Sequence, residues 1–90
     1  MTTESGNTVY KEAMRLATAG DLDNGIKMLK KAAGLGYSEA QVQLGKMLWD
    51  GKFIKQSERE AMMWYRKAAQ QGHPVATGIV KQLGKITPRN

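Results

Sequence analysis

Trp64-Tyr65-Arg66-Lys67-Ala68-Ala69-Gln70-Gln71-Gly72-His73-Pro74-Val75-Ala76 has an earlier echo in Met28-Leu29-Lys30-Lys31-Ala32-Ala33-Gly34-Leu35-Gly36-Tyr37-Ser38-Glu39-Ala40. The offset is constant at 36 residues, set by Lys30 and Arg66, Ala32 and Ala68, Ala33 and Ala69, Gly36 and Gly72, and Ala40 and Ala76. Self-similarity at such a period marks stacked helical hairpins, none of which can bury its apolar face alone. Arrays of this kind present surfaces and seldom perform chemistry, so the repeat bears on function before any site is considered.

Upstream of the echo, Val9, Ala13, Leu16 and Ala17 fall on one helical stripe from Thr8 onward, with Tyr10 and Met14 beside it. Gly20-Asp21-Leu22-Asp23 stops that helix, and its aspartates offer N-caps for the next. Ile26, Leu29, Ala32 and Ala33 make the second stripe, which Gly34 and Gly36 end. Ser38-x-x-Gln41 has capping-box spacing and predicts the start of a third helix, with Ala40, Leu44, Met47 and Leu48 inward and Asp50-Gly51 as its end.

The connector Lys52-Phe53-Ile54-Lys55-Gln56 is longer than its counterpart at Gly20, and Phe53 and Ile54 are expected to tuck beneath it. Ser57-x-x-Glu60 opens a fourth helix reaching about Gln71, packed through Ala61, Trp64, Tyr65, Ala68 and Ala69. Gly72-His73-Pro74 then stops it and puts proline in the first turn of a fifth. That helix, with Val75, Ala76, Ile79, Val80 and Leu83, is thinner in apolar content and reads as a cap. The expectation is an all-α chain: a disordered lead-in over 1–6, one helical-repeat domain over 7–84, and a tail over 85–90. Within the domain, units span about 8–36 and 38–72 and a capping helix spans 74–84, forming a right-handed α-solenoid of five helices.

Small residues recur at Ala13, Ala33, Ala40, Gly45, Ala61, Ala69 and Ala76. Antiparallel helices approach closely only where a short side chain sits at the crossing.

The run from Ala40 to Ala76 resembles the Sel-one-like repeat family, a relative of the tetratricopeptide repeats. The resemblance is carried by Ala40, Leu44-Gly45, Gly51 followed by Ile54, Ala61, Trp64-Tyr65, Lys67-Ala68-Ala69, Gly72 and Ala76. Residues 8–36 keep the Lys31-Ala32-Ala33-x-x-Gly36 ending, but their shorter turn looks more like a plain tetratricopeptide unit. Phe53 stands where the family usually has a second glycine, and Leu48 where it usually has tyrosine. The resemblance implies a non-enzymatic adaptor, inhibitor or modulator that binds one partner protein in a concave groove.

Composition narrows the remaining classes. The 90 residues are one domain's worth of chain, with 41% hydrophobic and 24% charged residues. There is no cysteine, hence no disulfide framework and no thiolate metal site. Met1-Thr2-Thr3-Glu4-Ser5-Gly6-Asn7 has no secretory pattern and no run is long and apolar enough for a membrane helix, so a cytoplasmic protein is expected. His73, the sole histidine, sits at a helix start, and Glu58 and Glu60 lie in a helix first turn where they meet the dipole. No phosphate loop or metal-ligand spacing is present, so neither cofactor nor catalytic residue is expected.

Two surfaces remain as candidates. The tetratricopeptide groove pattern, anchored at Gly45, selects Tyr10 and Met14 in the first helix, Val42, Lys46 and Trp49 in the third, and Gln82 and Lys85 at the end. Such a mixture suits a peptide or helix with an acidic flank. Trp49 reads equally as a binding anchor or as a cover for Phe53 and Ile54. The second surface is basic. The net charge of +6 lies wholly beyond residue 50, where eight basic residues, Lys52, Lys55, Arg59, Arg66, Lys67 and Lys81 followed by Lys85 and Arg89, stand against only Glu58 and Glu60. That end is either a solvated basic face or a nucleic-acid-binding one. Self-association into a weak homodimer through the open ends of a short stack is the third reading.

Overall fold

The computed structural model describes residues 5–84; the expectations for residues 1–4 and for the tail at 85–90, including Lys85, lie outside the described residues. Five helices follow in order: α1 (Gly6–Thr18), α2 (Leu22–Gly34), α3 (Ser38–Asp50), α4 (Glu58–Gln70) and α5 (Pro74–Gly84). Each packs on the next, α1 with α2 and α3 with α4 as hairpins, α2 with α3 between units, and α4 with α5 at the end. The radius of gyration is 13.4 Å and the extents are 44 × 26 × 18 Å, against about 12 Å for a compact chain of this length. The helices therefore stack in a row; they do not close into a bundle.

Three of the four connections have one design. Gly20, Gly36 and Gly72 have φ of +92°, +92° and +84°. Each donates its N–H three residues back, to Ala17, Ala33 and Ala69. The following residue donates five back, from Asp21 to Leu16, Tyr37 to Ala32 and His73 to Ala68. This is the Schellman closure, and glycine stands where a side chain would be strained. Asp21 accepts a hydrogen bond from the Asn24 N–H and His73 one from the Ala76 N–H, so one residue closes a helix and caps the next.

Two expectations at helix starts change. α1 begins at Gly6, its N-cap Ser5 accepting from the Thr8 N–H, so order starts before the apolar stripe does. Ser38 does not cap α3. The N-cap is Tyr37, without a side-chain cap bond, because the Schellman closure at Gly36 already fixes the chain one residue earlier. Gln41, freed from the expected box, is 3% exposed. Its amide donates to the Ala33 carbonyl at 3.1 Å and accepts from the Gln71 amide at 3.1 Å, tying α2, α3 and α4 together. Ser57, by contrast, does cap α4 through the Glu60 N–H.

The long connector also departs from expectation. Phe53 is 61% exposed with φ of +68°, and only Ile54 is half-buried against the core. Gly51 leaves α3 left-handed at φ +71°, and a second left-handed residue two positions on turns the ring outward. The segment is fastened at its far end instead, where Gln56 Nε2 donates to the Trp49 carbonyl at 2.8 Å and the Ser57 N–H to Leu48 at 2.9 Å.

Among the described residues, seven of the thirteen buried hydrophobics are alanine, and only Leu44 and Val9 are large and fully buried. The core is thin because alanine side chains bury little apolar area each. A Cβ on Gly25 would stand 3.2 Å from the Ala13 carbonyl and the Ala17 nitrogen, so α2 crosses α1 backbone to backbone.

Candidate functional site

Stacking places α1, α3 and α5 along one side of the row. Tyr10 of α1 stacks on Tyr37, ahead of α3, with ring centroids 5.1 Å apart and planes tilted by 49°. Burial raises the Tyr10 phenol above its ordinary value of 10.0, with Glu39 and Tyr37 adding to the rise, while a hydrogen bond from Gln43 opposes it. The next step along the row is His73, whose Nε2 lies 2.8 Å from Glu39 Oε1. Its Nδ1 accepts the Ala76 N–H at 3.3 Å, so the proton sits on Nε2 and is donated to the carboxylate. Side chains thus link α1 to α3 and α3 to α5 independently of the hairpin contacts.

At the other end of α3 and α5, Trp49, Tyr65, Ile79, Gln82 and Leu83 line a cleft of about 210 Å³. Its exposed lining is mostly apolar. Tyr65 forms part of the wall, and its phenol is raised above 10.0 first by burial and then by the Asp50 carboxylate. Small-molecule sites run from about 300 to 1,000 Å³. This one is smaller, the size of an inserted side chain.

Among the groove residues expected from sequence, Trp49 and Gln82 meet in this cleft. Trp49 is half-buried and packs against the core; it neither stands free nor covers Phe53, which is exposed. Met14 and Lys46 are exposed on α1 and α3, and Tyr10 is half-buried in the stack just described. Val42 is 7% exposed and belongs to the core, because α3 packs on α2 as well as on its hairpin mate α4. The outward strip of α3 instead carries half-buried Glu39 and Gln43 and exposed Lys46 and Asp50, a mixture of signs.

The expected basic surface is divided. Arg59, Arg66 and Lys67 line a second cleft of about 460 Å³ along the outer side of α4, together with Glu60, Met63 and Gln70. Lys52 and Lys55 lie in the connector and Lys81 on α5. Two ammonium groups sit over aromatic rings, Lys67 at 6.0 Å from Trp64 and Lys52 at 5.4 Å from Phe53.

Sequence reasoning missed Tyr37, Glu39 and Gln43 on the first-helix side. The signal available was positional: Tyr37 and His73 stand 36 residues apart, each just after a helix-ending glycine. Ile79 and Leu83 were expected only as packing of the capping helix, and they are also cleft wall. Among the described residues no cluster of three His, Asp or Glu side chains is placed to hold a metal ion. No helix there is long and apolar enough to cross a membrane.

A family model described as Sel1 repeat matches residues 12–37 and 38–73. No curated protein and no solved structure matches the chain.

Proposed function

The chain belongs to the Sel1 repeat family, since the two matches together span more than half of it, and on that premise we propose that it binds one partner protein along the side formed by α1, α3 and α5. Sel1 repeats mediate protein–protein interaction. The observation that carries the proposal is the cleft in which Trp49, Tyr65, Ile79 and Leu83 leave an apolar hollow beside the Gln82 amide. A hollow of about 210 Å³ accepts one apolar side chain of a partner, and a well-packed anchor of that kind dominates the energy of an interface.

Tyr10, Met14 and Lys46 extend the contact along the row, with Glu39 and Gln43 as hydrogen-bonding neighbours. The mixed signs of Glu39, Lys46 and Asp50 favour a partner read by shape and hydrogen bonds over a strongly acidic one. The groove along α1, α3 and α5 is short, which suits one dedicated partner and a role as adaptor or modulator.

The test pairs capture with mutation. Proteins retained by the wild-type chain are purified and titrated against it, and against Trp49→Ala combined with Lys46→Glu, with folding checked by circular dichroism. Loss of binding in the folded double variant is expected. Retained binding removes the groove from the proposal.

A further inference from the structure

We propose that the outer side of α2 and α4, away from the groove, is a second docking surface that takes an acidic amphipathic segment of a partner protein. Two clefts carry the argument. One, of about 340 Å³, runs between the ends of α2 and α4, lined by Ala33, Gly34, Trp64, Lys67 and Gln70 among others. The other, of about 460 Å³, continues along α4 and shares Lys67 and Gln70 with the first. Together they form one trough crossing the second helices of both hairpins.

The trough is rimmed with cations. Lys27, Lys30 and Lys31 lie one and two turns before Gly34 on the same side of α2 and are exposed. Arg59, Arg66 and Lys67 answer them on α4. Among the described residues, Lys27, Lys30, Arg59 and Arg66 make no ion pair, so their charge is not committed within the fold. Asp23, in the first turn of α2, and Glu60, in the second cleft, are the acidic residues set beside them.

Three observations select the occupant. Met63, 42% exposed, is set among Arg59, Arg66 and Lys67, and a phosphodiester backbone has no use for such an apolar point. Trp64 is half-buried with the Lys67 ammonium 6.0 Å from its centroid, so its face is not open for a base to stack. A second copy of this surface would set cation against cation. A segment alternating carboxylates with apolar side chains satisfies all three.

The experiment uses the full chain and a fluorescein-labelled peptide with leucine at every third or fourth position and glutamate elsewhere, read by anisotropy. The expected result is saturable binding that weakens about tenfold or more in Lys30→Glu combined with Arg66→Glu. It also weakens in Met63→Ser, and it is unchanged in Trp49→Ala, whose side chain lies in the groove. A peptide with serine in place of leucine binds more weakly, and oligo-dT at the same salt binds more weakly than the leucine peptide. No binding by the wild type, equal loss in Trp49→Ala, indifference to the charge reversal or to leucine, or tighter binding of oligo-dT each overturns the proposal. Failure here leaves the groove reading untouched, since that rests on the opposite side of the row.

Discussion

Tyr65 lays its ring across Gly45: a Cβ on that glycine would stand 2.9 Å from Cε1 and 3.0 Å from Cδ1 of the tyrosine. The two residues occupy the eighth position of α3 and of α4. In the first hairpin the same positions hold Ala13 and Leu29, both buried. The first hairpin closes with the α2 backbone at Gly25 against the α1 backbone, and the second with the α3 backbone at Gly45 against a phenol ring. The exchange of size across the crossing also puts Tyr65 where it walls the cleft beside Trp49.

Gly45→Ala is the first prediction. Alanine in a helix interior gains about 1 kcal/mol over glycine, but overpacking a close-packed crossing costs about 1–3 kcal/mol. Tyr65 is 4% exposed, so its ring gives way only by moving toward the cleft beside Trp49. A net loss near 1 kcal/mol is expected, lowering Tm by about 4–8 °C for a domain of this size. Combining it with Tyr65→Leu removes the ring that the new methyl would strike, and the double variant should be more stable than the sum of the two single losses. Thermal unfolding followed by circular dichroism measures all three, and strict additivity would show that the two residues do not share the crossing.

Phe53 supplies a second test, of backbone rather than packing. Its φ of +68° is left-handed, and its ring is 61% exposed. A residue bearing a Cβ costs about 1–2 kcal/mol there, while glycine gives back about 0.4–1 kcal/mol through the unfolded chain. Phe53→Gly and Phe53→Ala both lose the contact with Lys52, so the comparison isolates the backbone. The glycine variant should be the more stable of the two by roughly 0.5–1 kcal/mol in urea unfolding. An alanine variant as stable as the glycine one would contradict the left-handed conformation.

These two sites show what the chain makes legible and what it conceals. The helices are plain because periodicity and glycine stops agree, and the caps at Asp21 and Ser57 follow the same logic. Ser38 misleads because two local rules compete: a capping box beginning at residue 38 and a Schellman closure that has already set the cap at Tyr37. Phe53 misleads because hydrophobicity argues inward while the connector's backbone turns it outward. At the site, Trp49 and Gln82 are reachable by repeat position, since each pattern residue recurs once per first helix. Val42 is not, because the pattern assumes a helix covered on one side, and α3 is covered on two. The link between His73 and Glu39 joins residues 34 apart in sequence and carries no local signal.

Alkaline stability is a third prediction. The folded-state pKa values of Tyr10 and Tyr65 are both raised above 10.0, each first by burial. Between the unfolded and folded values the folded chain holds protons that the unfolded chain has lost, so stability falls as pH rises through that interval. Their contribution is complete below pH 10 and declines above it. Tyr10→Phe and Tyr65→Phe should each flatten the loss of urea midpoint as pH is raised from about 9.5 to about 11.5, a range that starts just below the reference value and extends above it. If both variants lose stability as steeply as the wild type over that range, the phenols are not the groups responsible.

The last prediction separates the two tasks of His73. Its Nδ1 caps α5 through the Ala76 N–H, and its Nε2 bridges to Glu39 on α3, so one ring fixes both the start of the terminal helix and its position against the row. Asparagine at this position keeps a side-chain acceptor for the cap but does not reach α3. Alanine keeps neither. A lost cap costs about 1 kcal/mol and a net hydrogen bond to a charged group about 1.5–3 kcal/mol when both partners are well shielded. The Glu39 side chain is 44% exposed, which puts the bridge at or below the lower end of that range through solvent screening. His73→Asn should therefore fall between wild type and His73→Ala in chemical unfolding, and hydrogen exchange should quicken in α5 before α3 in both. Long-range nitrogen–proton correlation in the wild type should place the ring proton on Nε2 with Nδ1 unprotonated. A proton found on Nδ1 would break the cap and the bridge at once, and with them the account of how α5 is held beside Trp49.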